Sequence, residues 1–133
     1  MTAKKWLMRG IEADEKIKAL EETRDKIQSR LMSCSGGMAE RVQGGERHDL
    51  NARLAEINEM ISDEIEKSCA IKTEILGAIN LLDDDRMHAV MVRRYINGMA
   101  WRKIANSMHY DERTVYRLHG DAIYFLIKTK CCQ

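Results

Sequence analysis

The chain has 133 residues with 22 basic and 21 acidic side chains, so its formal net charge is only +1. This length suits one domain, or one small domain with an extended appendage. No apolar run approaches the ~20 residues that span a bilayer, and residues 1–10 lack the apolar stretch of a secretory signal, so we expect a cytoplasmic protein with no membrane association.

Two amphipathic helices are predicted before residue 83. The first has an a/d pattern of three- and four-residue steps, interrupted once by a charged residue: Ile17, Leu20, Arg24, Ile27 and Leu31. The second has a longer apolar stripe with a weaker middle around Ser68 and Cys69: Leu50, Leu54, Ile57, Ile61, Ile65, Ile75, Ile79 and Leu82. We therefore predict residues 1–82 as a helical hairpin or coiled-coil oligomerisation region.

Residues 33–47 separate these two helices. They include Gly36, Gly37, Gly44 and Gly45 without a sustained apolar period, which is typical of a flexible loop. Such a loop allows the second helix either to fold back as an antiparallel hairpin or to pair with another chain. Because a helix that buries only one stripe is unstable alone in water, we expect these helices to join two copies into a homodimer. The alternative is a monomeric hairpin docked on its own carboxy-terminal domain.

Residues 83–133 are predicted to form a separate helical domain. The acidic residues 83–85 favour a helix start, since negative charge is stabilised at a helix amino terminus. This helix is expected to direct Val90, Met91, Tyr95 and Ile96 inward, and Asn97-Gly98 is a strong carboxy-terminal stop. The next helix is predicted to open at Trp101, which we expect in the core.

Residues 101–119 have the apolar pattern of a helix-turn-helix. Ala105 is the small residue needed where the two helices cross, and five apolar or aromatic residues close the small core: Ile104, Met108, Tyr110, Val115 and Leu118. Asp111 is placed to cap the second helix by accepting from a backbone N–H of residue 113 or 114. His109 occupies the turn position where glycine is commonest because φ is often positive there.

The second helix is predicted to be a recognition helix that enters the major groove of DNA. We expect Arg113 and Arg117 to contact bases or phosphates, because an arginine fork matches the edge of guanine or two phosphate oxygens. Glu112 can accept from a cytosine amino group. The other predicted DNA-binding residues contact phosphates: Thr114 and Tyr116 on this helix, and Arg102 and Lys103 at the start of the preceding one.

The segment from about Leu81 to Ile127 resembles region four of bacterial sigma factors and, more closely, small phage-encoded transcription regulators of the ArpU and RinA kind. The resemblance is carried by Arg93-Arg94-Tyr95-Ile96-Asn97-Gly98, by Trp101-Arg-Lys-Ile-Ala, and by Tyr110-Asp-Glu-Arg-Thr-Val-Tyr-Arg-Leu-His119. It implies base contacts at Glu112, Arg113, Tyr116 and Arg117. The promoter specificity of sigma factors does not transfer to this chain, because sigma factors have other residues at the positions of Tyr116 and Arg117.

Catalytic and metal-binding patterns are not found in the sequence. The histidines are scattered, the glycine pairs lack the Lys-Ser/Thr of a phosphate-binding loop, and the cysteines show no CxxC pairing. We therefore predict an all-α protein that is not an enzyme and needs no cofactor or metal.

The predicted function is that of a phage or prophage transcription regulator, such as a late-gene or operon activator, in the bacterial host cytoplasm. Its partner is double-stranded DNA, and host RNA polymerase is a further candidate partner. Two alternatives stay open: an oligomeric DNA-packaging component resembling a small terminase subunit, and a polymerase-interaction module without sequence readout.

Overall fold

The structure, a computed structural model, describes residues 2–34 and 44–129. Within these ranges it contains five α-helices and no strand, which confirms the predicted all-α class. The helices are α1 (Ala3–Cys34), α2 (Gly44–Ile79), α3 (Asp85–Met91), α4 (Trp101–Met108) and α5 (Glu112–Lys128), and a π-helical turn (Val92–Ile96) continues α3. None of the described helices combines the length and apolar character needed to cross a membrane.

The predicted loop at 33–47 is too long at both ends. Ser33 and Cys34 belong to α1, and residues 44–47 form the first turn of α2. The middle of the predicted loop, 35–43, lies outside the described residues. Gly44 and Gly45 start a helix instead of belonging to the predicted loop, because glycine is tolerated well at a helix amino terminus.

The chain packs as two compact units whose boundaries differ from the predicted division after residue 82. Among the described residues, the composite unit comprises 2–14 and 68–129, and the middle unit comprises 15–34 and 44–67. The difference arises because the apolar stripe of α2 continues to Leu82, and its last turns pack in the core of the composite unit. The start of α1 and the end of α2 therefore pack together with the carboxy-terminal helices.

The core of the composite unit has two clusters of buried side chains. The larger cluster joins the start of α1 and the end of α2 to α3, the π-helical turn and α5. Its members are Ala3, Leu7, Ile75, Ile79, Leu82, Met91, Tyr95, Ala122 and Leu126. The smaller cluster joins α3, α4 and α5: Val90, Ile104, Ala105, Val115 and Leu118. Burying one large aliphatic side chain contributes about 1.5–3 kcal/mol, so these clusters hold the helices in fixed positions.

A polar contact explains the weak middle of the stripe in α2. Ser68 is buried, and its hydroxyl donates to the Asp14 carboxylate over 3.2 Å. The ammonium group of Lys72 lies 2.8 Å from the same carboxylate. In this part of the composite unit a hydrogen-bonded serine therefore takes the place of an aliphatic side chain.

Helix α3 begins and ends as predicted. The Asp84 carboxylate accepts from the backbone N–H groups of Arg86 and Met87, and these hydrogen bonds lower its pKa. After the π-helical turn, Gly98 adopts φ +66° and the chain leaves the helix. Tyr95 is buried in this turn, and Gly10 of α1 lies so close to it that a Cβ at residue 10 would stand 3.2 Å from the Tyr95 carbonyl oxygen.

The middle unit buries its apolar stripes only in part. All five a/d residues of α1 between 17 and 31 are half-buried, and Leu50 and Ile61 are the buried apolar residues of α2 in this unit. Arg24 interrupts the a/d pattern, and its guanidinium pairs with Glu21 and Asp25 on its own helix. An ion pair between Arg30 and Glu46 joins the end of α1 to the start of α2.

Candidate nucleic-acid interface

Helices α4 and α5 both contribute to the smaller core cluster. Ala105 is 3% exposed in this cluster, and Ile104 and Val115 are fully buried in it. Met108 and Tyr110, which were predicted to close this core, are half-buried and packed against it. A small side chain such as that of Ala105 allows two helices to pack closely, and this shared core joins α5 to α4.

The turn between the two helices has the predicted chemistry. His109 adopts a left-handed conformation with φ 59° and ψ 37°, which is the backbone geometry that usually selects glycine. The N–H of Tyr110 donates to the Ala105 carbonyl over 3.0 Å and closes the end of α4. Asp111 then caps α5 by accepting from the Thr114 N–H over 2.9 Å, and hydrogen bonding to Thr114 lowers the Asp111 pKa.

The seven predicted DNA-binding residues are all at least partly accessible. The exposed ones are Arg102, Lys103, Arg113, Tyr116 and Arg117, and the half-buried ones are Glu112 and Thr114. Within the described residues, Lys103 and Arg117 form no ion pair, and Arg113 acts on Asp111 only through the long-range attraction of their charges. These three cations are therefore available to an anionic ligand.

Arg102 and Glu112 are brought together across the turn. The Arg102 Nε–H donates to Oε1 of Glu112 over 3.3 Å, and the two side chains are 84% and 44% exposed. An exposed pair of this kind is weak and is screened by salt. A DNA phosphate can compete for Arg102, but the pair makes Glu112 a poorer acceptor for cytosine than the sequence suggests.

Trp101 supports the exposed face of α5 through an aromatic cluster. Its ring centroid lies 5.1 Å from that of Tyr116 and 4.7 Å from that of His119, and the guanidinium of Arg94 lies 4.7 Å above it. Trp101 was expected in the core; it is half-buried rather than buried, and it packs against the smaller core cluster. Tyr116 therefore has one side on Trp101 and the other available to a ligand.

Sequence reasoning missed Arg94 and His119 as members of this site. The Arg94 guanidinium donates to the Met99 carbonyl over 2.9 Å while it stacks on Trp101, so this cation is already engaged. For His119 the sequence does contain one signal of membership in this site: it follows Tyr116 by three residues and therefore lies on the same side of a helix.

His119 and Tyr95 form a short hydrogen bond beneath the interface. The hydroxyl oxygen of Tyr95 lies 2.6 Å from Nε2 of His119. Burial lowers the pKa of His119 to about 4, with smaller contributions from Lys4 and Arg94, and burial raises the pKa of Tyr95 to about 12. Both groups are therefore neutral at pH 7, so this hydrogen bond joins an uncharged hydroxyl and an uncharged imidazole.

We compared the chain with known proteins. A family model described as "Protein of unknown function (DUF1492)" matches residues 31–126, which include all of α2 to α4 and most of α5. Searches of the curated proteins and of the solved structures found no match.

Proposed function

The chain belongs to the DUF1492 family, and we propose that this member is a sequence-specific DNA-binding transcription regulator of a phage or prophage. In this proposal, α5 enters the major groove as the recognition helix of a helix-turn-helix formed by α4 and α5. The ArpU-like and RinA-like resemblance of the segment 81–127 supports this function. Host RNA polymerase is the further partner that its sigma-like motifs suggest.

The observation that carries the proposal is that Arg113 and Arg117 have no ion pair among the described residues and lie near the capped start of α5. Arg113 and Arg117 are one turn apart on α5, both exposed, and the Asp111 cap with the buried Val115 fixes the helix that presents them. A guanidinium held in this way can make two hydrogen bonds to the O6/N7 edge of guanine. We assign base contacts to these two arginines.

The remaining residues of the interface set the register on the phosphate backbone. Arg102 and Lys103 are exposed in the first turn of α4, and Tyr116 extends from the Trp101 cluster. Thr114 is half-buried, so a phosphate has less access to its hydroxyl than to the exposed side chains, and its contribution to phosphate binding is minor. Glu112 holds Arg102 in the free protein and is the weakest of the predicted base contacts.

Two copies of the chain are needed for strong binding in this proposal. Between residues 86 and 119 the sequence has seven basic and two acidic side chains, a local excess of 7 − 2 = +5, which is modest for a nucleic-acid-binding surface. The half-buried stripe of the middle unit provides a surface for a second copy. Its helices leave a groove of about 300 Å³ that is lined by Leu20 and Met60, and Met60 is 48% exposed.

The experiment that tests readout by α5 compares Arg117→Ala with wild type on two duplexes, one selected by the protein and one of random sequence. We expect the variant to lose ~1–3 kcal/mol of binding free energy on the selected duplex and less on the random one. Arg53→Ala is the matched control, because Arg53 is an exposed arginine of α2 in the middle unit and should leave both affinities unchanged. Equal losses on both duplexes would show that Arg117 contacts only phosphate.

Sedimentation of the full chain tests the assembly. A dimer that becomes monomeric in Met60→Glu supports pairing through the middle unit, because a charge introduced at a contact between copies is desolvated. A ring of many copies would favour the packaging function instead. The polymerase-interaction function would be favoured by two results together: a monomer that binds no duplex, and an Arg113→Ala variant that binds RNA polymerase as well as the wild type does.

A further inference from the structure

Tyr116 is supported on the exposed face of α5 by an aromatic neighbour on α4. Its ring centroid lies 5.1 Å from that of Trp101, and the two ring planes are inclined at 48°. Tyr116 is nevertheless 48% exposed, so the part of the ring that does not face Trp101 is open to solvent. Contact with Trp101 therefore limits how the Tyr116 side chain can turn while it leaves the side chain accessible to a ligand.

Trp101 is itself held by several neighbours. The Arg94 guanidinium lies 4.7 Å above its ring centroid, and the His119 ring lies 4.7 Å away in an edge-to-face arrangement. Arg94 is fixed by its hydrogen bond to the Met99 carbonyl. His119 is fixed by its hydrogen bond with Tyr95, which is 1% exposed. The indole, which also packs against the smaller core cluster, therefore presents a fixed aromatic surface beside α5.

Tyr124 is a second exposed tyrosine of α5, but it has no such support. It is 61% exposed, and the contact of its ring is with the ammonium group of Lys128, 4.9 Å from the ring centroid. A lysine side chain is flexible, so this contact does not fix the ring. Tyr116 and Tyr124 therefore differ in the rigidity of the group on which each ring lies.

We propose that Trp101 is a positioning residue of the DNA interface, which holds the Tyr116 hydroxyl where it donates to a backbone phosphate. The inference rests on the proposed function, because it needs duplex DNA on α5. Tyr116 follows Arg113 by three residues, so the two side chains share a face of the helix. Tyrosine is among the side chains that donate to phosphate oxygens. A side chain that is already ordered in the free protein avoids the loss of affinity that ordering on binding would cause.

The test compares two substitutions of Trp101 by equilibrium binding to the selected and random duplexes. Trp101→Leu keeps an apolar side chain beside the smaller core cluster but removes the ring on which Tyr116 lies. Ordering one side chain on binding lowers affinity about 2- to 12-fold, and we expect a loss of this size. The loss should be equal on both duplexes, because phosphates carry no sequence information. Trp101→Phe keeps an aromatic ring and should bind nearly as tightly as the wild type.

A double-mutant cycle separates positioning from a general effect on the fold. If Trp101 acts through Tyr116, adding Trp101→Leu to Tyr116→Ala should cause no further loss of affinity. If Trp101 only stabilises the packing of α4 and α5, the two losses should multiply. Tyr124→Ala is the matched control: it should keep the wild-type affinity, and its combination with Trp101→Leu should bind like Trp101→Leu alone.

Thermal melting establishes that each variant is folded at the temperature of the binding assay. Trp101→Met is a second non-aromatic substitution, because methionine adapts to irregular gaps in a core. Tyr116→Phe leaves the core unchanged, since it keeps the ring on Trp101 and removes only the exposed hydroxyl. This variant should bind the selected and random duplexes more weakly than the wild type, by the same factor.

Four results would overturn the inference. If the losses from Trp101→Leu and Tyr116→Ala multiply while Arg117→Ala weakens the selected duplex, Trp101 is not a positioning residue and the proposed function stands. If Tyr116→Phe binds both duplexes like the wild type, the hydroxyl contacts no phosphate. If its loss is confined to the selected duplex, the hydroxyl contacts a base instead. If the wild-type chain binds no duplex at any salt concentration, the proposed function and this inference fail together.

Discussion

Protonation of His119 should destabilise the fold as the pH falls. The ring is packed against Trp101, its Nε2 is 2.6 Å from the Tyr95 hydroxyl, and the cations that face it are Lys4 and Arg94. Burial, followed by these two charges, lowers its pKa from 6.5 to about 4. Between these two values the unfolded chain binds a proton that the folded chain does not, so the free energy of unfolding decreases as the pH falls from 6.5 towards 4.

The size of the effect follows from the pKa difference. A difference of 6.5 − 4 = 2.5 pKa units corresponds to about 3.4 kcal/mol as an upper bound. The His119 ring is only half-buried, and solvent screening reduces this figure to about 1–2 kcal/mol. The loss is complete below pH 4, and no contribution from His119 changes above pH 7.

The assay is urea unfolding followed by helix content, from pH 7.5 to 4, at one fixed protein concentration so that any association is held constant. His119→Gln is the reference, because glutamine does not titrate and its amide has both donors and an acceptor for a hydrogen bond with the Tyr95 hydroxyl. Groups such as Asp84 and Asp111 titrate in both chains and cancel in the difference. If the difference in the free energy of unfolding between the wild type and His119→Gln stays constant from pH 7.5 to 4, the burial argument for His119 is refuted.

Two further predictions concern local structure. Gly10→Ala should fail to gain the ~1 kcal/mol of stability that alanine usually adds in a helix interior, because its Cβ would press on the Tyr95 carbonyl oxygen at 3.2 Å. Gly77→Ala is the control and should gain this stability, because nothing lies within 4 Å of a Cβ at residue 77. Equal melting temperatures for the two variants would contradict the close approach at Gly10. Asp111→Ala should lower the free energy of unfolding by ~1 kcal/mol through loss of the α5 cap, and an unchanged denaturant midpoint would show that Thr114 N–H finds another acceptor.

Features set by neighbouring residues were predictable from the sequence. The cap at Asp111, the left-handed turn at His109 and the stop at Gly98 depend on backbone geometry that only a few residue types favour. The small core around Ala105 followed from spacing, because residues three and four apart share a helix face. These features were sufficient to outline the candidate interface.

Features set by distant residues were not predictable. Nothing in the local pattern shows that Ala3 and Leu7 share a buried cluster with Ala122 and Leu126, more than 110 positions along the chain. The division after residue 82 therefore misses the composite unit, although the alternative of a hairpin docked on the carboxy-terminal domain allows such packing. The hydrogen bond between Tyr95 and His119 also depends on how separate helices meet.

The loop boundaries were missed for a different reason. Glycine content predicts a break in regular structure, but a helix that begins at Gly44 accommodates two glycines in its first turn, where their conformational cost is small.

The most direct test of the central claim is a binding selection with the full chain against fragments of the source genome at physiological salt. A stated salt concentration is essential, because phosphate contacts make every affinity salt-dependent. A DNA regulator predicts enrichment of one short, two-fold symmetric site that is bound at least about 10³-fold more tightly than random fragments. Uniform weak binding across fragments, or none, would contradict sequence readout by α5.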